Sequence, residues 1–335
     1  MEKVVYFYEK RVRNVTTLYY NIVISALKKN NVEIIPLPEC EKRYINVPKS
    51  TYFFVSGIPD FIRLYWWGYR NFIFWYQGVE PEERFIFNHS KIKFLIYSIL
   101  EKITLKKSKY RIGVTEALFE HYRKKYKLSL AKEEYFIMPC FNTLLNVDSF
   151  KEKGKYENNI FCYAGGLQPW QGVNYIFDIY ERIEEKYNDK VSIKIFSKEL
   201  EETKKLLSHY KINNYTIECV AEKDMNKALA GCKFGFILRE DNVVNNVAAP
   251  TKLSAYLANG VMPIFTSSIK AYKELSEKYL YMYCMRDLND LETIESAMAM
   301  DFRYSDILNE YSKIFEEYYN KDRYISMMSN YFTGQ

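Results

Sequence analysis

The chain has 335 residues, 48% of them hydrophobic, which is enough apolar material for the cores of two domains. Its net charge of +6 is uneven, because residues 1–155 hold 27 lysines and arginines against 16 acids, whereas the remainder holds 21 against 26. The basic first half indicates an anionic partner, such as nucleic acid, a lipid headgroup or a phosphorylated acceptor, and the absence of a long apolar run excludes a transmembrane helix.

The cysteines are spread along the chain, without a Cys-x-x-Cys pair or a histidine at metal-ligand spacing. This spacing predicts isolated, mostly buried thiols in a reducing compartment. Acids and bases stand near the N-terminus where a secretory signal would need an apolar run, so we expect a cytoplasmic protein. The cysteines are Cys40, Cys140, Cys162, Cys219, Cys232 and Cys284.

The first half alternates short β-rich runs with helical patterns, which predicts a parallel sheet with crossover helices. The predicted strands cover residues 4–8, 33–36, 52–55, 72–76, 110–114 and 135–138. The predicted helices cover residues 16–29, 60–69, 90–107 and 116–126. The polar run 151–157 has no apolar periodicity and is predicted to be a linker.

The same alternation restarts after this run, with strands predicted at 160–163, 191–196, 215–219 and 234–238 and helices at 173–187 and 199–209. A final amphipathic segment, residues 306–331, has no strand and is predicted to pack across a domain surface. The pattern predicts an α/β protein of two doubly wound, Rossmann-like domains, with bounds 1–152 and 153–335.

Two glycines, Gly165 and Gly166, lie where a predicted strand meets a helix. Such a turn either lets backbone N–H groups approach an anion or is only a tight connection. Leu167 and Trp170 stand where a dinucleotide-binding Gly-x-Gly-x-x-Gly motif requires glycine, and no Gly-Lys-Ser/Thr ending follows. Dinucleotide dehydrogenases and P-loop nucleotidases are therefore poor candidates.

The stretch 239–265 is the most informative part of the chain. It leads from the end of strand 234–238 through a Pro-Thr-Lys turn into a short helix that Gly260 ends. Arg239, Thr251 and Lys252, brought together by a strand end, a loop and a helix start, suit the binding of phosphate. Because this stretch and the Gly-Gly turn both follow strands of one parallel sheet, we expect them at the same edge.

These residues carry a resemblance to a known family. Gly-Gly-Leu-x-x-x-Gln-Gly at 165–172, Arg-Glu-Asp-Asn at 239–242, Pro-Thr-Lys at 250–252 and Tyr-Leu-Ala-x-Gly at 256–260 resemble the donor half of GT-B glycosyltransferases. The closest type is the retaining, family 4-like one that builds bacterial surface polysaccharides. In the first half, residues 75–83 and 113–116 are similar to the acceptor half.

The resemblance implies a nucleotide-sugar donor in the second domain and a glycan or lipid-linked glycan acceptor in the first. By position, Gly165 and Gly166 would approach the donor diphosphate, Arg239 and Lys252 would bind it, and the turn 250–251 would shape the pocket through Pro250 and Thr251. The nucleotide-sugar is a co-substrate, and no cofactor is implied. No Asp-x-Asp motif occurs, so a metal-bridged diphosphate is not expected, and no catalytic nucleophile is assigned.

The chain also departs from the family pattern. Gly166 and Gln171 stand where many relatives carry cations, although Gln171 remains a donor-binding candidate. The two ends of the family's Glu-x7-Glu pattern are Val247 and Ala255. Candidates to replace the ribose-binding glutamate are Glu240, Asn246 and Ser254.

Gln77, Glu80 and Glu83 follow a strand of the first half and are candidates for binding acceptor hydroxyls, unless they only form a polar turn. His89, His121 and His209 are each isolated in the sequence and are interpreted as structural. The cluster of Phe61, Tyr65, Trp66, Trp67 and Tyr69 either packs in the core or forms a sugar-stacking or membrane-facing patch.

The predicted helix 91–107 is a candidate membrane contact. Ile92, Leu95, Ile96, Ile99, Leu100 and Ile103 form one helical stripe, while Phe94, Tyr97 and Leu105 extend the apolar character to the far side. One apolar face is expected to pack on the sheet, and the other needs a partner. This helix is flanked by lysines 91, 93, 102, 106 and 107, which suit an anionic bilayer surface. The alternative is that neighbouring elements bury both faces of the helix.

Three functions are compatible with the sequence. The leading one is a nucleotide-sugar-dependent glycosyltransferase acting at the inner membrane face. The second is a non-catalytic partner that keeps the fold, suggested by Gly166, Gln171, Val247 and Ala255. The third is a nucleic-acid-binding protein, suggested by the basic, aromatic first half, although no binding motif accompanies the charge and nucleic acid is not expected as a partner.

Overall fold

The computed structural model describes residues 4–12, 16–37 and 47–334 of the chain. These residues form two compact units. The first contains the described residues up to Cys140 and those from Asn320 onward, and the second is Phe141–Tyr319. Each unit is built on one parallel, six-stranded sheet, as the alternating pattern predicts.

The sheet of the first unit has the strand order β2-β1-β3-β4-β5-β6. Its strands are β1 (Val4–Tyr8), β2 (Glu33–Leu37), β3 (Tyr52–Val55), β4 (Asn71–Tyr76), β5 (Tyr110–Gly113) and β6 (Phe136–Ile137). Its first helices are α1 (Thr17–Lys29), α2 (Ile58–Trp66), α3 (Glu80–Asn88), α4 (Lys91–Lys107) and α5 (Glu116–Tyr126). β3 and β5 are buried along their whole length, because a parallel sheet of this kind is covered on both faces.

The sheet of the second unit has the order β12-β11-β10-β7-β8-β9. Its strands are β7 (Asn159–Ala164), β8 (Val191–Phe196), β9 (Tyr215–Glu218), β10 (Phe234–Ile237), β11 (Met262–Thr266) and β12 (Tyr283–Met285). Its helices include α6 (Val173–Tyr187), α7 (Leu200–Leu207), α8 (Met225–Ala230), α9 (Val243–Asn246), α10 (Lys252–Ala258) and α11 (Lys270–Ser276). Helices α12 (Leu291–Ala299) and α13 (Tyr304–Glu317) complete this unit.

The last helix, α14 (Lys321–Thr333), belongs to the first unit and packs on α1. The Tyr110 hydroxyl donates to the Phe332 carbonyl at 2.9 Å, and the Asn30 amide donates to the Ser329 carbonyl at 2.8 Å. The predicted segment 306–331 is thus two helices, α13 in the second unit and α14 in the first. The units accordingly differ from the predicted bounds 1–152 and 153–335.

The predicted linker 151–157 is part of the second unit. Lys155 is only 2% exposed, and its ammonium donates to the Ala230 carbonyl at 2.8 Å and to the Asn259 carbonyl at 2.6 Å. Burial lowers the pKa of Lys155 to about 8. This run lacks apolar periodicity because it is fixed by a buried lysine rather than by an apolar face.

Helix α4 exposes much of its aliphatic stripe, a point that the sequence left open. Its stripe of Ile92, Leu95, Ile96 and Ile99 is exposed, whereas Ser98, Glu101, Thr104 and Leu105 are buried. Two of the buried polar groups are satisfied locally, since the Thr104 hydroxyl donates to the Glu101 carbonyl and the Glu101 carboxylate accepts from the Tyr126 hydroxyl. No helix in the described ranges is both long enough and apolar enough to cross a bilayer.

The aromatic cluster of α2 is divided between core and surface. Phe61 and Tyr69 are fully buried, while Trp66 is 84% exposed. The described cysteines are all free thiols, and Cys162 and Cys232 are buried. Cys219 is exposed, and Cys40 lies outside the described residues.

Candidate functional site

The second unit brings the Gly-Gly turn and the 239–252 stretch to one edge of its sheet. β10 lies between β7 and β11, and the three strands are parallel, so the loops that follow them are neighbours. Arg239 stands two residues beyond the end of β10, and its backbone N–H donates to the Thr266 hydroxyl at 2.9 Å. This is the edge at which doubly wound folds bind their ligands.

Arg239 is held in a buried position by neutral groups. Its guanidinium donates to the Gln171 Oε1 atom at 2.9 Å, to the Asn245 Oδ1 atom at 3.1 Å and to the Trp170 carbonyl. The side chain is buried, which lowers its pKa, and its Nε atom has no hydrogen-bond partner among the described residues. Asn245, which sequence reasoning missed in favour of Asn246, therefore orients this cation.

Lys252 converges on the same amide oxygen. Its ammonium donates to Gln171 Oε1 at 2.7 Å and lies 4.0 Å from the centroid of the Tyr163 ring. Burial and the nearby Arg239 charge hold the pKa of Lys252 well below its usual range. Across the described parts of the chain, neither Lys252 nor Arg239 forms an ion pair with a carboxylate.

The Gly-Gly turn leaves space for this lysine. A Cβ atom on Gly165 would come within 2.6 Å of the Lys252 Nζ and Cε atoms. The Gly165 N–H donates to the Phe196 carbonyl at 2.9 Å and continues the β7–β8 ladder, so it is not directed at a ligand. The Gly166 carbonyl accepts from the Tyr163 hydroxyl at 2.5 Å. Gly165 therefore contributes room for a cation rather than a backbone donor.

The other predicted donor residues have different surroundings. The Pro250 carbonyl accepts from the Tyr272 hydroxyl, and the Thr251 carbonyl accepts from the Ser254 hydroxyl at 2.9 Å. Ser254 is fully buried, so its hydroxyl secures the start of α10 rather than facing an open pocket. Glu240 is exposed and accepts from the Tyr175 hydroxyl, which raises the pKa of Tyr175 to about 12.

Asn246 has a buried Oδ1 atom without a hydrogen-bond partner among the described residues.

A second feature of this edge is a cavity of about 290 Å³ next to the Gly-Gly turn. Glu199 at its wall accepts from the Leu167 N–H at 2.8 Å. Sequence reasoning missed this residue because its place in the site depends on the β8–α7 loop. The cavity is lined by Gly165, Gly166, Gln168, Phe196, Ser197, Lys198, Glu199, Val220 and Met225.

In the first unit, the three acceptor candidates Gln77, Glu80 and Glu83 line one cavity of about 520 Å³. They are not a simple turn, because Glu80 and Glu83 belong to the first turn of α3, with Pro81 beside them. Glu80 accepts from the Arg84 guanidinium at 2.6 Å. Burial and the adjacent Glu80 raise the pKa of Glu83.

A buried charged network stands behind this cavity. Glu101 is 2% exposed and accepts from the Tyr126 hydroxyl at 2.6 Å and from the Lys125 ammonium at 3.3 Å. Lys125 also contacts Glu82, which lies 3.2 Å from His121 Nε2. Burial raises the pKa of Glu101 to about 7. His121, isolated in the sequence, is thus part of an acidic network in the fold.

No group of three or more His, Cys, Asp or Glu side chains with the arrangement of a metal site occurs within residues 4–12, 16–37 and 47–334. No family model matches the chain, and no curated protein matches it.

The chain is similar to solved glycosyltransferase structures. Anabaena HepE, solved with UDP and glucose, has a TM-score of 0.70 at 9% identity, with 100% of both chains covered. The sucrose-phosphate synthase of Thermosynechococcus elongatus has a TM-score of 0.68 at 10% identity, with 99% of both chains covered. S. aureus TarM has a TM-score of 0.62 at 12% identity, and the match covers 85% of this chain but only 55% of TarM. The chain therefore has the two-domain GT-B fold.

Proposed function

We propose that the protein is a nucleotide-sugar-dependent glycosyltransferase whose second unit binds the donor diphosphate through Arg239 and Lys252. The observation that carries this proposal is the convergence of the two cations on the single neutral oxygen of Gln171. Two buried cations without a carboxylate partner are costly unless an anion completes the site. The unpartnered Nε of Arg239 adds a donor for that anion.

The chemistry of glycosyl transfer needs such a site. Cleavage of the bond between sugar and nucleotide leaves growing negative charge on the diphosphate, and fixed cations stabilise this charge as it forms. Loss of one such donor costs roughly 2–4 kcal/mol of barrier stabilisation. The proposal assigns this role to Arg239 and Lys252 and includes no metal ion.

Similar structures support the donor class. HepE was solved with UDP and glucose, a TarM mutant with UDP, and the trehalose-6-phosphate protein of E. coli with UDP-2-fluoro glucose. We extend this chemistry to the present chain, with the cavity beside Gly165 and Gly166 as the place for the nucleoside. Asn246 and Glu240 remain the candidates for contacts with the ribose or the sugar.

For the acceptor we propose a glycan or lipid-linked glycan that binds in the cavity lined by Gln77, Glu80 and Glu83. Carboxylates and amides suit sugar hydroxyls because they accept the hydrogen bonds that hydroxyls donate. We place this reaction in surface polysaccharide synthesis in the cytoplasm, with retention of anomeric configuration. An NMR spectrum of the product that showed inversion would contradict the stereochemical part.

Thermal shifts with UDP, GDP, CDP and dTDP test the donor site. One of these diphosphates is expected to stabilise the protein at millimolar concentration, and the matching nucleoside without phosphates is expected to stabilise it far less. Lys252→Met should weaken diphosphate binding about tenfold or more, because it removes one of two fixed cations. Lys223→Met, at an exposed lysine of the same unit, is the matched control. Absence of stabilisation by all four diphosphates would disprove the donor site.

A further inference from the structure

We propose that the exposed face of α4 docks the protein on an anionic lipid bilayer surface. The α4 apolar face is formed by Ile92, Leu95, Ile96 and Ile99, which are 74%, 61%, 49% and 52% exposed. Four large aliphatic side chains on one face of a helix form a contiguous patch, and contiguous patches of this kind mark interaction surfaces. Such docking would determine where the protein works, which the proposed reaction does not specify.

The charge around the α4 apolar face selects the partner. Lys91 and Lys93 at the start of the helix and Lys106 and Lys107 at its end are exposed. The one acid of α4, Glu101, is buried on the opposite side, where it contacts Lys125 and Tyr126. An apolar face with only cations beside it is complementary to an anionic lipid surface, into which an amphipathic helix sinks its apolar side.

The neighbouring helices maintain this arrangement. α4 packs against both α2 and α3. Two acids of α3 are paired with cations, since Glu80 binds Arg84 and Glu82 binds Lys125, and the third, Glu83, lines the proposed acceptor cavity. Phe87 near the end of α3 and Trp66 at the end of α2 are 58% and 84% exposed. Exposed aromatic side chains of this kind suit the interfacial region of a bilayer.

The same three helices also line the proposed acceptor cavity. Glu101 of α4, Glu80 and Glu83 of α3, and Ile58 of α2 are among its lining residues. The inward side of α4 thus contributes to the cavity, while its outward side carries the α4 apolar face. Docking of this face would keep the cavity close to acceptors that are anchored in the membrane.

Vesicle flotation of the full chain tests the proposal without any donor or acceptor. Binding is expected to vesicles of phosphatidylcholine with phosphatidylglycerol, to be weak on phosphatidylcholine alone, and to fall at high salt. The double variant Lys91→Gln with Lys93→Gln should lower the partition coefficient roughly 25-fold, since each lysine contributes about fivefold. The double variant Ile96→Ser with Ile99→Ser should lower it at least about tenfold.

Two control variants remove the same kinds of exposed side chain at positions outside α4. Leu144→Ser with Leu280→Ser removes two aliphatic side chains that are 77% and 62% exposed, and Lys190→Gln with Lys223→Gln removes two exposed lysines. Both should float like the native chain. All these positions are exposed, so unfolding temperatures should stay unchanged, and nucleoside diphosphate binding in the second unit gives a separate readout of the proposed reaction.

Several results would overturn the proposal. One such result is that the native chain fails to bind the anionic vesicles. Another is that variants of the α4 apolar face bind these vesicles as strongly as the native chain. Light scattering could instead show a dimer that the Ile96 and Ile99 changes convert to a monomer, which would make a second copy the partner. RNA binding that depends on Lys91 and Lys93, without vesicle binding, would assign the surface to nucleic acid.

Discussion

At the scale of single residues, Gln171 gives the most direct test of the phosphate site. Its Oε1 atom is 2.9 Å from the Arg239 guanidinium and 2.7 Å from the Lys252 ammonium. Gln171→Glu puts a carboxylate between the two cations, so we expect a higher unfolding temperature and at least about tenfold weaker binding of the nucleoside diphosphate. Thermal unfolding and isothermal titration calorimetry measure the two effects.

A neutral substitution of the same residue is the control. Gln171→Met removes the acceptor without adding charge, so the free protein should lose stability while diphosphate binding is retained. If Gln171→Glu bound nucleoside diphosphate as tightly as the native chain, Arg239 and Lys252 would not form the anion site.

The buried carboxyl of Glu101 predicts a pH dependence of stability. Burial raises its pKa in the fold from 4.5 to about 7. Between these values the folded chain keeps a proton that the unfolded chain releases, so this group lowers the free energy of unfolding as pH rises, by about 3 kcal/mol in all. Glu101→Gln should abolish this dependence, and urea unfolding at about pH 4.5 and pH 8 measures it.

The difference between the native chain and Glu101→Gln gives the contribution of Glu101 to the pH dependence, separate from that of the other titrating groups. Glu120→Gln changes an exposed glutamate of the first unit and should leave the pH dependence as in the native protein. An equal slope in the native chain and in Glu101→Gln would contradict the raised pKa.

Sequence reasoning located the two cations of the candidate site but not their surroundings. Arg239 and Lys252 were predictable because a strand end and a helix start place them at one edge of a parallel sheet. Their link through Gln171, and the choice of Asn245 over Asn246, depend on how the loops 165–172 and 239–251 fold. Such contacts join residues that are far apart in sequence, and no local pattern encodes them.

At the scale of elements, most strands were predictable, although β12 was not predicted, and the orientation of α4 was not predictable. Strands covered on both faces, such as β3 and β10, appear as continuous apolar runs between turn signals. α4 is apolar on more than one side, so its periodicity identifies a helix without indicating which side meets the sheet. The side it buries includes Glu101 and Thr104, whose polar side chains find hydrogen-bond partners only in the fold.

α3 is an element that the sequence interpretation missed altogether. Its start, Glu-Pro-Glu-Glu, was interpreted as an acceptor-binding segment or as a polar turn, in either case without a helix. Proline in the first turn and several acids beside it are also typical of a helix N-terminus, where the missing proline N–H costs nothing and the acids interact favourably with the helix dipole. The acceptor candidates Glu80 and Glu83 thereby gain a rigid base rather than a loop.

At the scale of the whole molecule, two doubly wound units were predictable from the repeated alternation of strands and helices. The assignment of the last helix was not, because an amphipathic helix can pack on any apolar surface that accepts it. α14 follows the second unit in sequence but joins the first unit through α1 and β5.

Two adjacent methionines of α14 test this assignment. Met328 is fully buried and Met327 is 44% exposed. Met328→Ala should cost about 2–5 kcal/mol, because it leaves a cavity in the packing of α14, whereas Met327→Ala should have little effect. Hydrogen exchange measured by mass spectrometry should show faster exchange in α1, β1 and β5 of Met328→Ala, with β7 and β10 unchanged. Faster exchange confined to β7 and β10 would instead place α14 in the second unit.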